Sequence, residues 1–143
     1  MSDTAFTLKT GTWEELKEHA QAIRLAVFVD EQNVPLEMEW DEWDAKSVHA
    51  IAFIGPQAVA TGRLLPDGHI GRMAVLKEWR QQKIGSAILR QLMLEAHTRG
   101  LNPLILHAQT SAATFYERFD FTRCGEEFEE AGIAHVRMEK TTR

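Results

Sequence analysis

Residues 80–86 read Arg-Gln-Gln-Lys-Ile-Gly-Ser and carry the strongest chemical signal in the chain. An apolar run leads into them and an amphipathic helix starts within them. The free N–H groups of that helix's first turn then face a loop of cationic and amide side chains, where the helix dipole favours negative charge. The arrangement suits a phosphate-bearing ligand. It is not a Walker loop, because the Gly-Lys-Ser/Thr ending is missing, and not a dinucleotide fingerprint, because there is no triple glycine. Four groups are candidate proton acceptors: Glu31 after the first helix, His49 at the start of a strand, His107 on the strand face of Ile105 and Gln109, and His135 in the last strand. A lone strand histidine is more often a hydrogen-bonded structural residue, and a carboxylate at a helix end is usually solvated. Cys124, the only cysteine, has no histidine beside it in sequence and reads as a small buried hydrophobe rather than a nucleophile.

The elements that must hold these residues follow from apolar spacing. Residues 6–9 alternate as a short strand. Thr12 and Glu15 form a capping box for a helix with Trp13, Leu16, Ala20, Ile23 and Val27 along one face. Residues 30–44 are irregular, acidic and rich in tryptophan. The carboxylates there suit a cation-attracting lip, but Trp40 and Trp43 at helical spacing favour a solvated loop whose rings plug the core edge. Strands at 48–54, 58–65 and 69–76 are joined by tight turns at Gly55-Pro56 and Pro66-Asp67-Gly68. A helix over 84–98 carries Ile88, Leu92 and Ala96 inward and closes at Gly100. Residues 104–108 are uninterrupted and apolar, as expected of a strand buried on both faces. A short helix ends near Phe119, and strands at 121–124 and 133–139 flank an acidic loop ending in Ala131-Gly132. The expectation is one α/β (α+β) domain over 1–143, with a mixed, mostly antiparallel central sheet and helices on both faces.

Composition narrows the function. A net charge of -5 argues against nucleic acid as a partner and favours cationic substrates such as amines. A single cysteine excludes an intrachain disulfide and fits a reducing compartment. Residues 1–10 carry no basic, apolar leader, and nowhere do eighteen apolar residues run together. The expected location is cytoplasmic, with no membrane partner.

The strand, loop and helix around Arg80 and Gly85 resemble the central Arg/Gln-x-x-Gly-x-Gly/Ala motif of the GNAT superfamily, the acyl-CoA-dependent N-acyltransferases. Residues 114–121, Thr-Phe-Tyr-Glu-Arg-Phe-Asp-Phe, are similar to that family's Phe-Tyr-x-x-x-Gly-Phe signature, with Asp120 in place of the glycine. Residues 24–35, His49, 61–63, 106–109 and 130–135 are similar to the ElaA/YjcF-like branch. Lys83 stands where the family has its first glycine. We expect that position to be helical and to add a charge beside the phosphates. Asp120 tolerates a left-handed C-cap better than most residues.

The resemblance implies the GNAT-like fold and transfer of an acetyl or other acyl group from acetyl-CoA, as co-substrate, to a primary amine. The amine, on a small molecule or a peptide, would attack directly in a ternary complex. No metal is implied. Met73, Ala74 and Val75 would run beside the pantetheine arm, with a backbone N–H on the thioester carbonyl. Residues from Gln81 through Gln82, Lys83, Ile84, Gly85 and Ser86 would cradle the diphosphate, next to Arg80. Gln109 and Phe115 would complete the acyl-CoA site. Tyr116, the only tyrosine, would protonate the departing sulfur, and Glu31 or His107 would be the base. Two alternatives stay open: an acyl-CoA-binding sensor without turnover, and an interaction module using the exposed edge and acidic loop. The last strands could also pair in a homodimer.

Overall fold

The computed structural model describes residues 5–141; the first residues of the 1–10 segment and the last two of the chain lie outside them. Strand β1 (Thr7–Gly11) leads to α1 (Trp13–Arg24), whose start carries the expected capping box: Glu15 N–H donates to Thr12 Oγ1 at 3.3 Å, and Thr12 N–H donates to Glu15 Oε1 at 2.8 Å. The helix does not stop where its apolar pattern ends. It loosens into a π-helical segment (Leu25–Glu31), a wider winding that is frequent at functional sites. A single turn, α2 (Leu36–Glu39), follows.

Strands β2 (Val48–Ile54), β3 (Gln57–Leu64) and β4 (Ile70–Val75) then build an antiparallel sheet with β1, in the order β1-β2-β3-β4. Strand alternation explains how helices cover both faces. Ile51 joins Leu16 and Ala20 of α1, whereas Ala50 and Ala52 join Ile88, Leu89 and Leu92 of α3 (Ile84–Thr98). Gly62 faces α3 as well. A Cβ there would meet Met73 Sδ at 2.8 Å and Ile88 Cγ2 and Leu92 Cδ1 at 2.9 Å, so only glycine lets the helix lie this close.

Opposite Gly62 the β3–β4 ladder breaks. Thr61 pairs with Ala74 and Arg63 with Gly71, so Arg72 and Met73 form a bulge, with Arg72 at φ 50°. The second sheet, β5-β7-β6, comprises β5 (Leu104–Gln109), β6 (Thr122–Glu130) and β7 (Ile133–Lys140), with α4 (Ala113–Glu117) between β5 and β6. The two sheets touch where β4 and β5 begin, through a parallel bridge between His69 and Ile105. They belong to separate ladders beyond it, which leaves a gap between the ends of β4 and β5.

Two local expectations change. Strand β5 alternates rather than being buried on both faces: Leu104, Leu106 and Ala108 are inside, and His107 is exposed. The acidic loop before Ala131 is the second half of β6, paired with β7 through Phe128, Glu129 and Glu130. It ends in a two-residue turn with Ala131 at φ 54° and Gly132 at φ 76°, the positive pair that tight hairpins require.

Candidate active site

Two cavities meet at the gap between β4 and β5. The first, about 640 Å³, lies under the start of α3. Its walls include Met73, Ala74 and Val75 of β4, then Arg80, Gln81 and Lys83 of the loop. Ile84, Gly85 and Ser86 of α3, with Gln109, Phe115 and Tyr116, complete the set expected from sequence. Gln82 is the exception, since it lies off this wall and is engaged elsewhere. Helix α3 has no side-chain cap at its N-terminus, so the first-turn N–H groups keep their capacity for an anion.

Lys83 departs from expectation. It precedes the helix at φ 66°, ψ 12°, in the left-handed region. Gln81 is also left-handed, at φ 63°. The loop between β4 and α3 needs both reversals to turn the chain back under the helix, and it imposes them on side chains that disfavour them. Asp120 takes the left-handed conformation foreseen for it, at φ 70°.

Arg80, in the wall of this cavity, is clamped to Glu31, which lies outside it. Arg80 Nη1 and Nη2 donate to the two Glu31 carboxylate oxygens at 2.7 and 2.6 Å, and Nε donates to the Val75 carbonyl at 2.9 Å. The Arg80 hydrogen bonds hold the Glu31 carboxyl below the usual carboxylate range. A carboxylate clamped this way is a weak proton acceptor, and Glu31 lines neither cavity.

The second cavity, about 580 Å³, opens on the other side. Phe28, Gln32, Met73, Gln109 and Tyr116 line both cavities and mark the passage between them. Gln109 Nε2 donates to Gln32 Oε1 at 2.9 Å, tying β5 to the end of the π-helical segment. Tyr116 packs against Phe115 and Phe121, and burial pushes its hydroxyl up to about 12, so it stays protonated at working pH.

The histidines separate by environment. His107 lines the second cavity, where its side chain is open to solvent but partly desolvated by the surrounding walls, which keeps its imidazole below its ordinary range and neutral at pH 7. It stands edge-on to His69, whose Nδ1 lies 2.9 Å from Asp67 Oδ1. His135 also lines this cavity, with Nδ1 2.7 Å from the Ile133 carbonyl. His49 lines neither: it is 1% exposed, its Nε2 lies 2.9 Å from the Asp44 carbonyl, and burial holds it neutral. Cys124 is half-buried, not buried as expected, its Sγ–H donates to the Arg137 carbonyl at 3.5 Å, and desolvation and the Glu139 carboxylate raise its thiol, which disfavours the thiolate.

The acidic, tryptophan-rich segment is more than a solvated loop: its carboxylates pair with arginines, and Met38, Glu39, Asp41 and Trp43 line the second cavity. Arg24 is 1% exposed, and its Nε and Nη1 donate to Glu39 at 2.6 Å and Asp44 at 2.8 Å. The rings of Trp13 and Trp40 lie 5.5 and 5.0 Å from its guanidinium carbon. Arg63 donates to Asp41 at 2.7 Å and to Asp44 at 2.9 Å. Trp43, expected as an anchor, is 39% exposed. Sequence reasoning also missed Thr61 and Trp79. Thr61 Oγ1 and Trp79 Nε1 are buried in the wall of the first cavity without a hydrogen-bond partner in the protein. No group of metal-ligating side chains occurs among the described residues.

Comparison with known proteins agrees with this geometry. The family model described as an acetyltransferase (GNAT) domain matches residues 13–142. The uncharacterized N-acetyltransferase YjcF of Bacillus subtilis (strain 168) is 40% identical over 131 residues, covering 89% of this chain and 93% of YjcF. The crystal structure of Escherichia coli ElaA superposes with a TM-score of 0.86 at 27% identity, covering 95% of this chain and 99% of ElaA. An acyl-CoA N-acyltransferase structure from Pseudomonas aeruginosa gives 0.87 at 26% identity, covering 96% of this chain and 100% of that one. The chain thus belongs to the GNAT acetyltransferase family, in its ElaA/YjcF-like branch.

Proposed function

We propose that this chain, as one domain over 1–143, moves the acetyl group of acetyl-CoA to a primary amine by direct attack in a ternary complex. The observation that carries this reading is the meeting of two cavities at Met73, Gln109 and Tyr116, which lets donor and acceptor enter from opposite sides and touch. Holding both reactants in one site is the main entropic contribution an enzyme makes to aminolysis.

The first cavity suits coenzyme A. The uncapped start of α3 and the Lys83 ammonium provide for the diphosphate. The unpartnered Thr61 hydroxyl and Trp79 N–H offer polar contacts to an amide-bearing arm. When bound, acetyl-CoA supplies the activated thioester. The bulge at Arg72 and Met73 interrupts the β3 ladder, and a backbone N–H of β4 there is suited to the thioester oxygen as negative charge builds on it. Tyr116 keeps its proton and donates a hydrogen bond to the departing sulfur. His107, neutral and on the acceptor side, takes the amine's proton through water. We assign Glu31 to holding Arg80 and the loop instead of to proton transfer.

The test is release of free CoA when protein and acetyl-CoA meet a panel of primary amines. The expected result is amine-dependent release that saturates in both substrates, with initial-rate lines that intersect. Parallel lines would replace direct attack with a two-step scheme. Saturable acetyl-CoA binding with no release from any amine would favour a sensor.

A further inference from the structure

Arg63 and Arg72 line the second cavity, Arg24 lies buried behind them, and the three share their carboxylate partners unequally. Arg24 takes Glu39 through Nε and Asp44 through Nη1 at 2.6–2.8 Å, and its third nitrogen, Nη2, donates to the Glu39 carbonyl at 2.8 Å. Arg63 takes both oxygens of Asp41 at 2.7 and 2.9 Å and shares Asp44 at 2.9 Å. Arg72 comes last. Its hydrogen bonds both come from Nη2 and both are long: 3.3 Å to Asp41 Oδ2 and 3.4 Å to the Met38 carbonyl. Its Nε is buried without a hydrogen-bond partner, and Glu39 Oε1 lies 3.6 Å away from it. A guanidinium has five N–H donors in a rigid fork. Most of that capacity is idle on a side chain that is 25% exposed and lines the cavity. Burial and the Arg63 charge also press on its protonated form, which an added anion would relieve.

We propose that Arg72 anchors an anion subsite in the acceptor cavity, so that the acceptor is an amine bearing a carboxylate, an amino acid in the broad sense. The inference rests on the acyl-transfer reading for the role of this cavity. Its geometry is consistent with such a molecule. Arg72 and Met73 are the two residues of one bulge, so a carboxylate held at Arg72 leaves its amine a few bonds away, near the passage at Met73. Asp41 and Glu39 at 3.3 and 3.6 Å from Arg72 repel a dianion more than a monoanion, which favours a carboxylate over a phosphate. The apolar lining from Phe28, Leu106 and Ile70 suits the carbon skeleton between and around the two polar ends.

The experiment uses acceptors paired with and without the anion, each rate referred to the concentration of free amine because an amide makes its amine less basic: β-alanine against β-alaninamide, phenylalanine against phenylalaninamide, and O-phosphoethanolamine against ethanolamine. Two readouts are taken on the full chain, CoA release with acetyl-CoA and melting temperature without it. The carboxylate member of at least one pair is expected to lead its amide by about 10-fold or more in kcat/KM, the worth of a charge-assisted hydrogen bond. It should also raise the melting temperature where the amide does not. Arg72→Gln should bring both ratios near one, and Arg72→Lys should keep part of the preference. Equal or better use of the amides, a preference for the phosphate, or a carboxylate preference that survives in Arg72→Gln would overturn the proposal. Should Arg72→Gln not fold, the wild-type ratios and melting shifts decide alone. Absence of any acetyl-CoA binding or turnover would remove the acyl-transfer reading, and the melting shifts would still judge the subsite.

Discussion

Replacing Lys83 by glycine separates two roles that one residue now combines. At φ 66°, ψ 12°, a lysine side chain is held in the left-handed region, at a cost of about 1–2 kcal/mol. Glycine removes that cost but frees the unfolded chain, which returns about 0.4–1 kcal/mol. Net stabilisation is therefore about 1 kcal/mol, or roughly 3–5 °C in melting temperature for a domain of this size. The ligand side runs the other way. The Lys83 ammonium is exposed, so its attraction for a diphosphate is worth about 0.2–1 kcal/mol. Acetyl-CoA affinity should fall by roughly 2–5-fold at low salt, and the gap should close near 0.5 M salt as the charges are screened. Lys83→Ala is the control: it loses the cation and keeps the strain, so it should bind like Lys83→Gly and melt no higher than the parent. Thermal denaturation and calorimetric titration at two salt concentrations measure both effects. A Lys83→Gly protein that melts below Lys83→Ala would refute the strain, and unchanged low-salt affinity would refute the charge.

Gly62→Ala drives a methyl into Met73, Ile88 and Leu92 at under 3 Å, so it should destabilise by about 1–3 kcal/mol in denaturant titration and slow turnover through the displaced Met73; a neutral effect on both contradicts the packing argument. Tyr116→Phe should lower kcat by at least about 10-fold with little change in the KM for acetyl-CoA, and the parent's pH profile should show no tyrosine limb below about 10, whereas an unaltered kcat removes the hydroxyl from the mechanism. Arg24→Met leaves buried Glu39 without a hydrogen-bonded cation and Asp44 with Arg63 alone, and should cost about 3–5 kcal/mol, read as a collapse of the melting temperature; a native-like melt means the network is not holding this region. His49 is held neutral in the fold, so its contribution to stability is present above the unfolded value near 6.5 and is lost as pH falls toward the lower folded value; His49→Gln should flatten the decline in melting temperature between about pH 7 and 5, and an equal slope in both proteins dismisses it.

What could be read from the chain was what local pattern determines. Helix α3 and strand β2 lie where periodicity puts them, because each has one face packed on a single core. The donor loop was legible for the same reason: an apolar strand, a polar turn and a helix start are all contiguous. The second half of strand β6 escaped because it is an edge, mostly exposed on both sides, and so lacks the alternation that reveals a strand. The conformation of Lys83 escaped because its φ is imposed by the loop's closure against the residue's own preference. Glu31 looked like a free carboxylate because its partner, Arg80, is 49 positions away. The arginine network was hidden likewise, although Arg24 at the end of an apolar helix face and Arg63 inside an apolar strand were visible hints of buried charge needing partners.

The central claim is that the loop beneath α3 and the gap beside β4 hold acyl-CoA so that its thioester faces the second cavity. Calorimetric titration of acetyl-CoA into the full chain tests it most directly. Saturable heat with one molecule per chain is expected, weakened by salt and by loss of the Lys83 charge. No saturable heat at millimolar acetyl-CoA would contradict it.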